Sequence, residues 1–174
     1  TQYADVLLPA LGWGEKDGTV TNSERRISRQ SAFLDAPVEA KADWWAVAQV
    51  AKKMGFSGFN FNNAHEIFIE HAKLSVYKNA PLWQRAAAEH FRYFNLHGLT
   101  ELSLEDYNQF APTQWPVWQA DQAVDAVSRL FAQGQFSHAD AKAKFVATAA
   151  INPVHQVCGE YPLILNTGRI RDQW

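Results

Sequence analysis

Residues 13–30 read Trp-Gly-Glu-Lys-Asp-Gly-Thr-Val-Thr-Asn-Ser-Glu-Arg-Arg-Ile-Ser-Arg-Gln, and this run limits the fold more than any other stretch. Glu15, Asp17 and Glu24 stand beside Arg25, Arg26 and Arg29. So many ionic groups are costly to take out of water together, so the run is too polar to be a core element. Thr19, Thr21, Asn22 and Ser23 offer short side chains suited to local backbone hydrogen bonds. Just before it, Ala4-Asp-Val-Leu-Leu8 is a short apolar stretch closed by Pro9, which reads as a buried strand. A polar segment after such a strand faces the strand's C-terminal end, where open α/β sheets bind ligands. The alternative is a set of solvated ion pairs, each worth little. The residues alone leave both readings open.

The glycines exclude one ligand site. Gly12, Gly14 and Gly18 carry one residue too many before the third glycine for a dinucleotide fingerprint. Thr19-Val-Thr21 also favours a strand over the helix start that such a loop requires.

Helix signals follow. Asp43 can cap a helix to Met54 whose Trp44, Val47, Ala48, Ala51 and Met54 share a face, with Lys52 and Lys53 in the last turn and Gly55 as the stop. Asn63, with Glu66 three residues on, opens a second helix to about Val76 that turns Ile67, Phe68, Ala72 and Leu74 inward. Pro81 starts a third, with Leu82, Trp83, Ala86, Ala87, His90, Phe91 and Phe94 as its apolar stripe. Ser103 with Asp106 predicts a short helix to Phe110, ended by Pro112. Residues 114–118 read as irregular, and 122–131 have helical spacing. Residues 136–148 predict a β-hairpin about Ala139-Asp-Ala-Lys-Ala143, a turn with no glycine to take a positive φ. Residues 152–160 form a linker, and 162–166 form a last strand.

Composition closes off several classes of function. The 174 residues are 47% hydrophobic, enough for a core, and the net charge of −2 leaves no basic footprint for nucleic acid. No apolar run reaches the roughly 18 residues of a membrane span, and the first residues lack the basic-then-apolar pattern of a signal peptide. Cys158, the single cysteine, has no neighbouring His or Arg to activate it, and one thiol builds neither a disulfide nor an iron–sulfur site. His65 and His71 are six apart, off a common helix face, and no zinc-ligand spacing occurs, so ordinary structural histidines are expected. Trp44 and Trp83 fall on helix faces and read as core or interdomain packing, while Trp13, Trp115, Trp118 and Trp174 fall in loops or ends.

Two stretches carry a resemblance. The run from Tyr3 to Gln30, with Ala-Asp-Val-Leu-Leu-Pro leading into Trp-Gly-Glu-Lys-Asp-Gly-Thr-Val-Thr-Asn-Ser-Glu-Arg-Arg, is similar to the molybdopterin oxidoreductases, the superfamily of nitrate reductases, formate dehydrogenases and dimethyl sulfoxide reductase. Tyr161-Pro-Leu-Ile-Leu-Asn-Thr-Gly-Arg-Ile-Arg-Asp-Gln-Trp174 resembles the entry to that superfamily's C-terminal cofactor-binding domain, and its part from Asn166 onward is most like the cytoplasmic assimilatory nitrate reductases. The resemblance rests on these two segments more than on the helical middle.

The resemblance implies an internal piece of a larger subunit, in keeping with a chain that starts at Thr1 and stops within a motif at Trp174. The expected fold is α+β and mainly helical. Residues 1–60 would be the C-terminal part of an α/β molybdopterin-binding domain and 61–134 a helical connecting region. Residues 135–160 would be a hairpin and linker, and 161–174 the first strand of the C-terminal dinucleotide-binding domain. The implied cofactors of the parent are molybdenum-bis(molybdopterin guanine dinucleotide) and a [4Fe-4S]-type iron–sulfur cluster, with the molybdenum and cluster ligands outside this chain and no cofactor held by the chain alone.

Asp43 has two readings, a helix N-cap and, by the resemblance, a carboxylate that accepts from guanine N–H groups of the cofactor. Thr167, Gly168, Arg169 and Trp174 are the other implied cofactor contacts, and no residue is assigned a catalytic role. The implied reaction is nitrate to nitrite. A formate dehydrogenase of the same superfamily and a non-catalytic helical interaction module are the alternatives. The implied partners are the remaining domains of the subunit and an electron donor. Exposed aromatic surface predicts self-association of the isolated chain.

Overall fold

The computed structural model describes residues 2–79, 91–120, 129–132, 134, 136, 138, 140–165 and 168. The chain divides into two compact units, Thr1–Val127 and Ser128–Trp174. Its described elements are three α-helices and a three-stranded antiparallel sheet, a mixed α+β arrangement.

The polar run folds into a β-hairpin. Gly18–Thr21 (β1) pairs antiparallel with Arg26–Gln30 (β2), in register from Gly18 opposite Gln30 to Thr21 opposite Ile27. Thr19-Val-Thr21 folds as its β-favouring residues predict. Asn22 closes the hairpin: its Oδ1 accepts from the Glu24 and Arg26 N–H groups at 2.9 and 3.0 Å, and Arg25 takes φ +69°. Ile27, the one large apolar residue of β2, is 2% exposed and joins the core, so this run does contribute to it. The cause is the period of two along a strand, which puts Ile27 and Arg29 on one face, with Arg29 over the core residue Tyr107, and Arg26 on the other.

Asp43–Lys53 (α1) follows, and Gly55 ends it at φ +85°. Ala42 is its N-cap and Asp43 its first helical residue, with no side-chain capping bond, which corrects the capping role read for Asp43. Of the predicted inward face only Ala48 and Ala51 are buried and Trp44 half-buried, while Val47 and Met54 are exposed. Trp44, Ala48 and Ala51 are spaced four and three apart and form the covered stripe; Val47, Val50 and Met54 form a second apolar stripe that stays exposed.

Ala64–Val76 (α2) begins as predicted: the Asn63 side chain accepts from the Glu66 N–H. Glu66 reaches back one residue further than a standard capping box, accepting from the Asn62 N–H at 2.8 Å and from its side-chain amide at 2.9 Å. Those bonds, the side-chain amide first, hold the Glu66 carboxyl below the usual glutamate range. Phe68 and Ala72 face inward; Leu74 is exposed, and the small Ser75 takes the buried place at that level. Leu104–Asn108 (α3) is capped by Ser103, whose Oγ accepts from the Asp106 N–H. Thr113–Gln114 (β3) then pairs with β2, so the segment read as irregular begins with a two-residue strand.

The core gathers Ile27, Phe68, Ala72, Leu96, Leu99, Tyr107 and Val117, with Phe94, Phe110 and Trp115 packed against it. It is drawn from β2, α2, α3 and the connecting segments, so no single stretch predicts it.

The expected strand at residues 4–8 is not formed. Only Ala10 makes a bridge, parallel to Lys41, and Val6, Leu7 and Leu8 are exposed. The expected strand at 162–166 is likewise absent over its described residues 162–165, and Leu163, Ile164 and Leu165 are exposed. Both runs have strand-like composition but no ladder partner among the described residues, and backbone groups in a strand need one.

The second unit has no helix or strand among its described residues. The predicted hairpin is reduced to its turn: the Phe136 N–H donates to the Ala141 carbonyl at 2.8 Å, and Ala141 takes φ +57° in place of the missing glycine. Phe131 stacks on Phe136 at 5.2 Å. The predicted helix from Pro81 lies outside the described residues as far as residue 90, and its expected continuation through Phe91 and Phe94 is not helical; most of the one over 122–131 lies outside the described residues.

Candidate functional site

The three arginines of the opening run brace the fold. Arg25 Nη1 donates to the Trp115 carbonyl at 2.7 Å, with its guanidinium 5.3 Å from the Trp115 ring. Burial pulls its pKa down from the usual arginine value. Arg26 Nη1 donates to the Pro112 carbonyl at 3.1 Å. Arg29 donates to the carbonyls of Gly18 and Tyr107, at 2.9 and 3.1 Å, and pairs with Asp17 at 2.5 Å. Its guanidinium lies over the Tyr107 ring at 4.4 Å. The planar fork of arginine suits several carbonyls at once. These contacts staple the hairpin to the segment from Tyr107 to Trp115, so the arginines meet carbonyls of their own chain.

Against β1 lies a cleft of about 290 Å³, lined by Asp17, Gly18 and Thr19, by Trp44 of α1, by Ala64, Ile67, Phe68 and His71 of α2, and by Tyr107. The four α2 residues are spaced three, four and seven apart, so they share one helical face, a signal present in the sequence. Tyr107 is 1% exposed and its hydroxyl has no hydrogen-bond partner among the described residues. Burial pushes its pKa up, so it stays a neutral donor. His65 and His71, read as structural, pack on aromatic rings: His65 on Tyr107 at 5.2 Å, also bonded to the Leu102 carbonyl at 2.7 Å, and His71 on Phe94 at 5.4 Å.

Asp43 projects from the first turn of α1, and its Oδ2 accepts from Lys16 Nζ at 2.6 Å. The hydrogen bond from Lys16, then its charge, lowers the Asp43 pKa below the usual aspartate range. The side chain remains 64% exposed. An ionised, accessible carboxylate with acceptor sites left over suits a pair of N–H donors, the hydrogen-bonding edge of guanine, so on this observation Asp43 fits the implied cofactor. Lys16 was not singled out by sequence, because no spacing rule links residues 27 apart. Gly168, in the second unit, is exposed, with no heavy atom within 4 Å of where a Cβ would stand. Thr167, Arg169 and Trp174 lie outside the described residues.

A family model described as "Molybdopterin oxidoreductase" matches residues 1–53, the stretch that ends with α1. The chain is 50% identical over 173 residues to a protein named nitrate reductase from Shewanella frigidimarina, covering 99% of this chain and 18% of that protein. It is 46% identical over 174 residues to a nitrate reductase from Klebsiella oxytoca, again 99% of this chain and 18% of the relative. It is also 36% identical over 170 residues to the F420-dependent formate dehydrogenase 2 subunit alpha of Methanococcus maripaludis, 97% of this chain and 21% of the relative. The chain thus spans about one fifth of the length of the curated relatives it matches. Similarity that runs through both units, together with the family model over the polar hairpin and α1, identifies the chain as belonging to the molybdopterin oxidoreductase family.

Proposed function

We propose that the chain is part of a molybdenum-dependent nitrate reductase that converts nitrate to nitrite, and that it forms part of the cradle of a molybdopterin guanine dinucleotide. The observation that carries this is 50% identity over 173 residues to a protein named nitrate reductase, against 36% over 170 residues to a formate dehydrogenase subunit. In this reading Asp43 accepts from the guanine edge of the cofactor. Thr167, Gly168, Arg169 and Trp174 are the further cofactor contacts that the resemblance implies, Gly168 by its small size and Arg169 by its planar fork. The molybdenum, when bound, supplies the oxygen-atom transfer. The chain's own residues bind and orient: Asp43 as an ionised acceptor, Arg169 as a planar donor.

The domain assignment follows the same reading. Residues 1–60 close an α/β cofactor domain, 61–134 connect, 135–160 form a linker, and 161–174 enter the C-terminal cofactor domain. The molybdenum and iron–sulfur ligands belong to other parts of the protein, the electrons arrive from a donor protein or domain, and the enzyme works in the cytoplasm. Among the described residues no helix is long and apolar enough to cross a membrane. Val6, Leu7, Leu8, Val47, Val50 and Met54 are exposed, and in this reading they are covered by the rest of the subunit and drive self-association of the isolated chain.

A second reading, formate oxidation, is favoured by the formate dehydrogenase relatives. The test uses the full-length protein loaded with molybdenum cofactor, assayed with nitrate and reduced viologen and, separately, with formate and oxidised viologen. Nitrite formation without formate oxidation is expected. Formate oxidation without nitrite assigns the second reading, and a loaded protein inert to both overturns the proposal in favour of an interaction module.

A further inference from the structure

We propose that Lys16 is the positioning residue for the guanine-binding carboxylate: it pins one oxygen of Asp43 from a braced loop and leaves the other open to the purine. The inference rests on the reading of Asp43 as a guanine acceptor.

The geometry begins with the loop. Lys16 follows a short 3-10 turn, Trp13–Glu15, in which Glu15 folds back so that its carboxylate accepts from the Gly12 N–H at 2.7 Å. The Gly14 carbonyl accepts from the Phe33 and Leu34 N–H groups at 2.8 and 2.9 Å, and the Trp13 carbonyl accepts from the Gln30 side chain at 2.9 Å. On the other side of Lys16, Asp17 is fastened to Arg29. The start of α1 is tied to the same region: Leu11 donates to the Lys41 carbonyl and Lys41 to the Pro9 carbonyl, both at 3.1 Å. The lysine stem therefore leaves a fixed base toward a fixed helix end.

Exposure divides the roles. The Lys16 side chain is 34% exposed and that of Asp43 64%, so the lysine is the more covered partner and the aspartate the more reachable one. A free aspartate rotates about its last torsion, and a bidentate bond to two coplanar N–H groups requires one orientation of the carboxylate plane. The 2.6 Å bond from Nζ to Oδ2 restricts that rotation before any ligand arrives. A carboxylate has about four acceptor sites, and the Lys16 bond and the contact with Asp43's own backbone N–H leave the others, so the pair can receive a purine edge without breaking. The added positive charge also keeps the carboxylate ionised, in line with its lowered pKa. Preorganising an acceptor in this way raises affinity by removing an ordering cost at the moment of binding.

The experiment uses the full-length protein loaded with cofactor, as wild type and as Lys16→Met, Lys16→Arg and Asp43→Asn. Guanine nucleotide released by acid and molybdenum per subunit are measured over timed dialysis, at low and high salt. Lys16→Met should lose guanine nucleotide about twofold to fivefold faster at low salt, the scale of one exposed ion pair. The difference should shrink at high salt. Lys16→Arg should restore wild-type retention, and the thermal midpoint of Lys16→Met should stay at the wild-type value, which a merely structural lysine would not allow. Lys16→Gln repeats the test if the Met variant fails to fold. Wild-type retention by Lys16→Met, alongside rapid loss by Asp43→Asn, would overturn the role of Lys16 and leave the Asp43 reading standing. Wild-type retention by Asp43→Asn would overturn both.

Discussion

Ser75→Ala tests the physical account of the core most directly. Ser75 is 4% exposed near the end of α2, where its Oγ donates to the Ala72 carbonyl at 2.7 Å and accepts from the Leu96 N–H at 2.8 Å. Leu96 is fully buried, and this hydroxyl is the partner of its amide. Alanine fits the space, so no packing is lost. The Ala72 carbonyl sits within the helix and retains a route to a backbone partner, whereas the Leu96 N–H is left buried and unpaired. An orphaned buried donor costs about 1–3 kcal/mol, so a loss of about 2 kcal/mol is expected. Urea unfolding of the chain, followed by tryptophan fluorescence, should show the midpoint falling by about 1 M with an unchanged slope. Ser75→Thr, which keeps the hydroxyl and adds a methyl group, should lose less. A Ser75→Ala protein within about 0.5 kcal/mol of wild type, at equal slope, would refute the reasoning, because the Leu96 amide would then have another partner.

Other outcomes follow from single contacts. Tyr107→Phe removes a buried hydroxyl that has no partner among the described residues and keeps the ring under Arg29, so stability should rise by about 1 kcal/mol in the same urea assay. The raised Tyr107 pKa has a further consequence: the unfolded chain loses its proton first, so stability is undiminished below the unfolded tyrosine value near 10 and falls as pH rises through the folded value, and Tyr107→Phe should flatten that alkaline decline in thermal midpoint. Gly98→Ala places a Cβ inside contact distance of the Gln119 carbonyl and the Ala120 nitrogen, both backbone atoms, and should destabilise by about 2 kcal/mol or more on thermal melting. Asn62→Ala removes the amide that holds Glu66 below its ordinary pKa, so carboxyl titration by NMR should show Glu66 return toward the usual glutamate range. The stabilisation tied to that lowered pKa is present above the ordinary glutamate value and fades as pH falls through the folded value, so the variant should also lose the corresponding acid-dependent slope.

Local chemistry was legible in the sequence wherever the signal lies within a few residues. Asn63 and Ser103 announce the starts of α2 and α3 because a cap bond spans three residues. Gly55 announces the end of α1 because only a positive φ fits there, and Thr19-Val-Thr21 announces a strand. The two end motifs carried the family, since they are runs of particular residues rather than patterns of burial.

Tertiary structure decided what the sequence left open. Whether Arg25, Arg26 and Arg29 meet ligand or protein depends on carbonyls at Tyr107, Pro112 and Trp115, which lie far along the chain. Whether residues 4–8 become a strand depends on a neighbouring ladder, and composition cannot provide one. Which of two apolar stripes on α1 is covered depends on what packs there, so Ala48 and Ala51 are buried while Val47 and Met54 are not. Asp43 illustrates the division: its place at the start of a helix was readable from neighbouring residues, but its ion pair with Lys16 requires two turns of chain to fold back on each other, and only the folded hairpin and helix bring those charges to 2.6 Å.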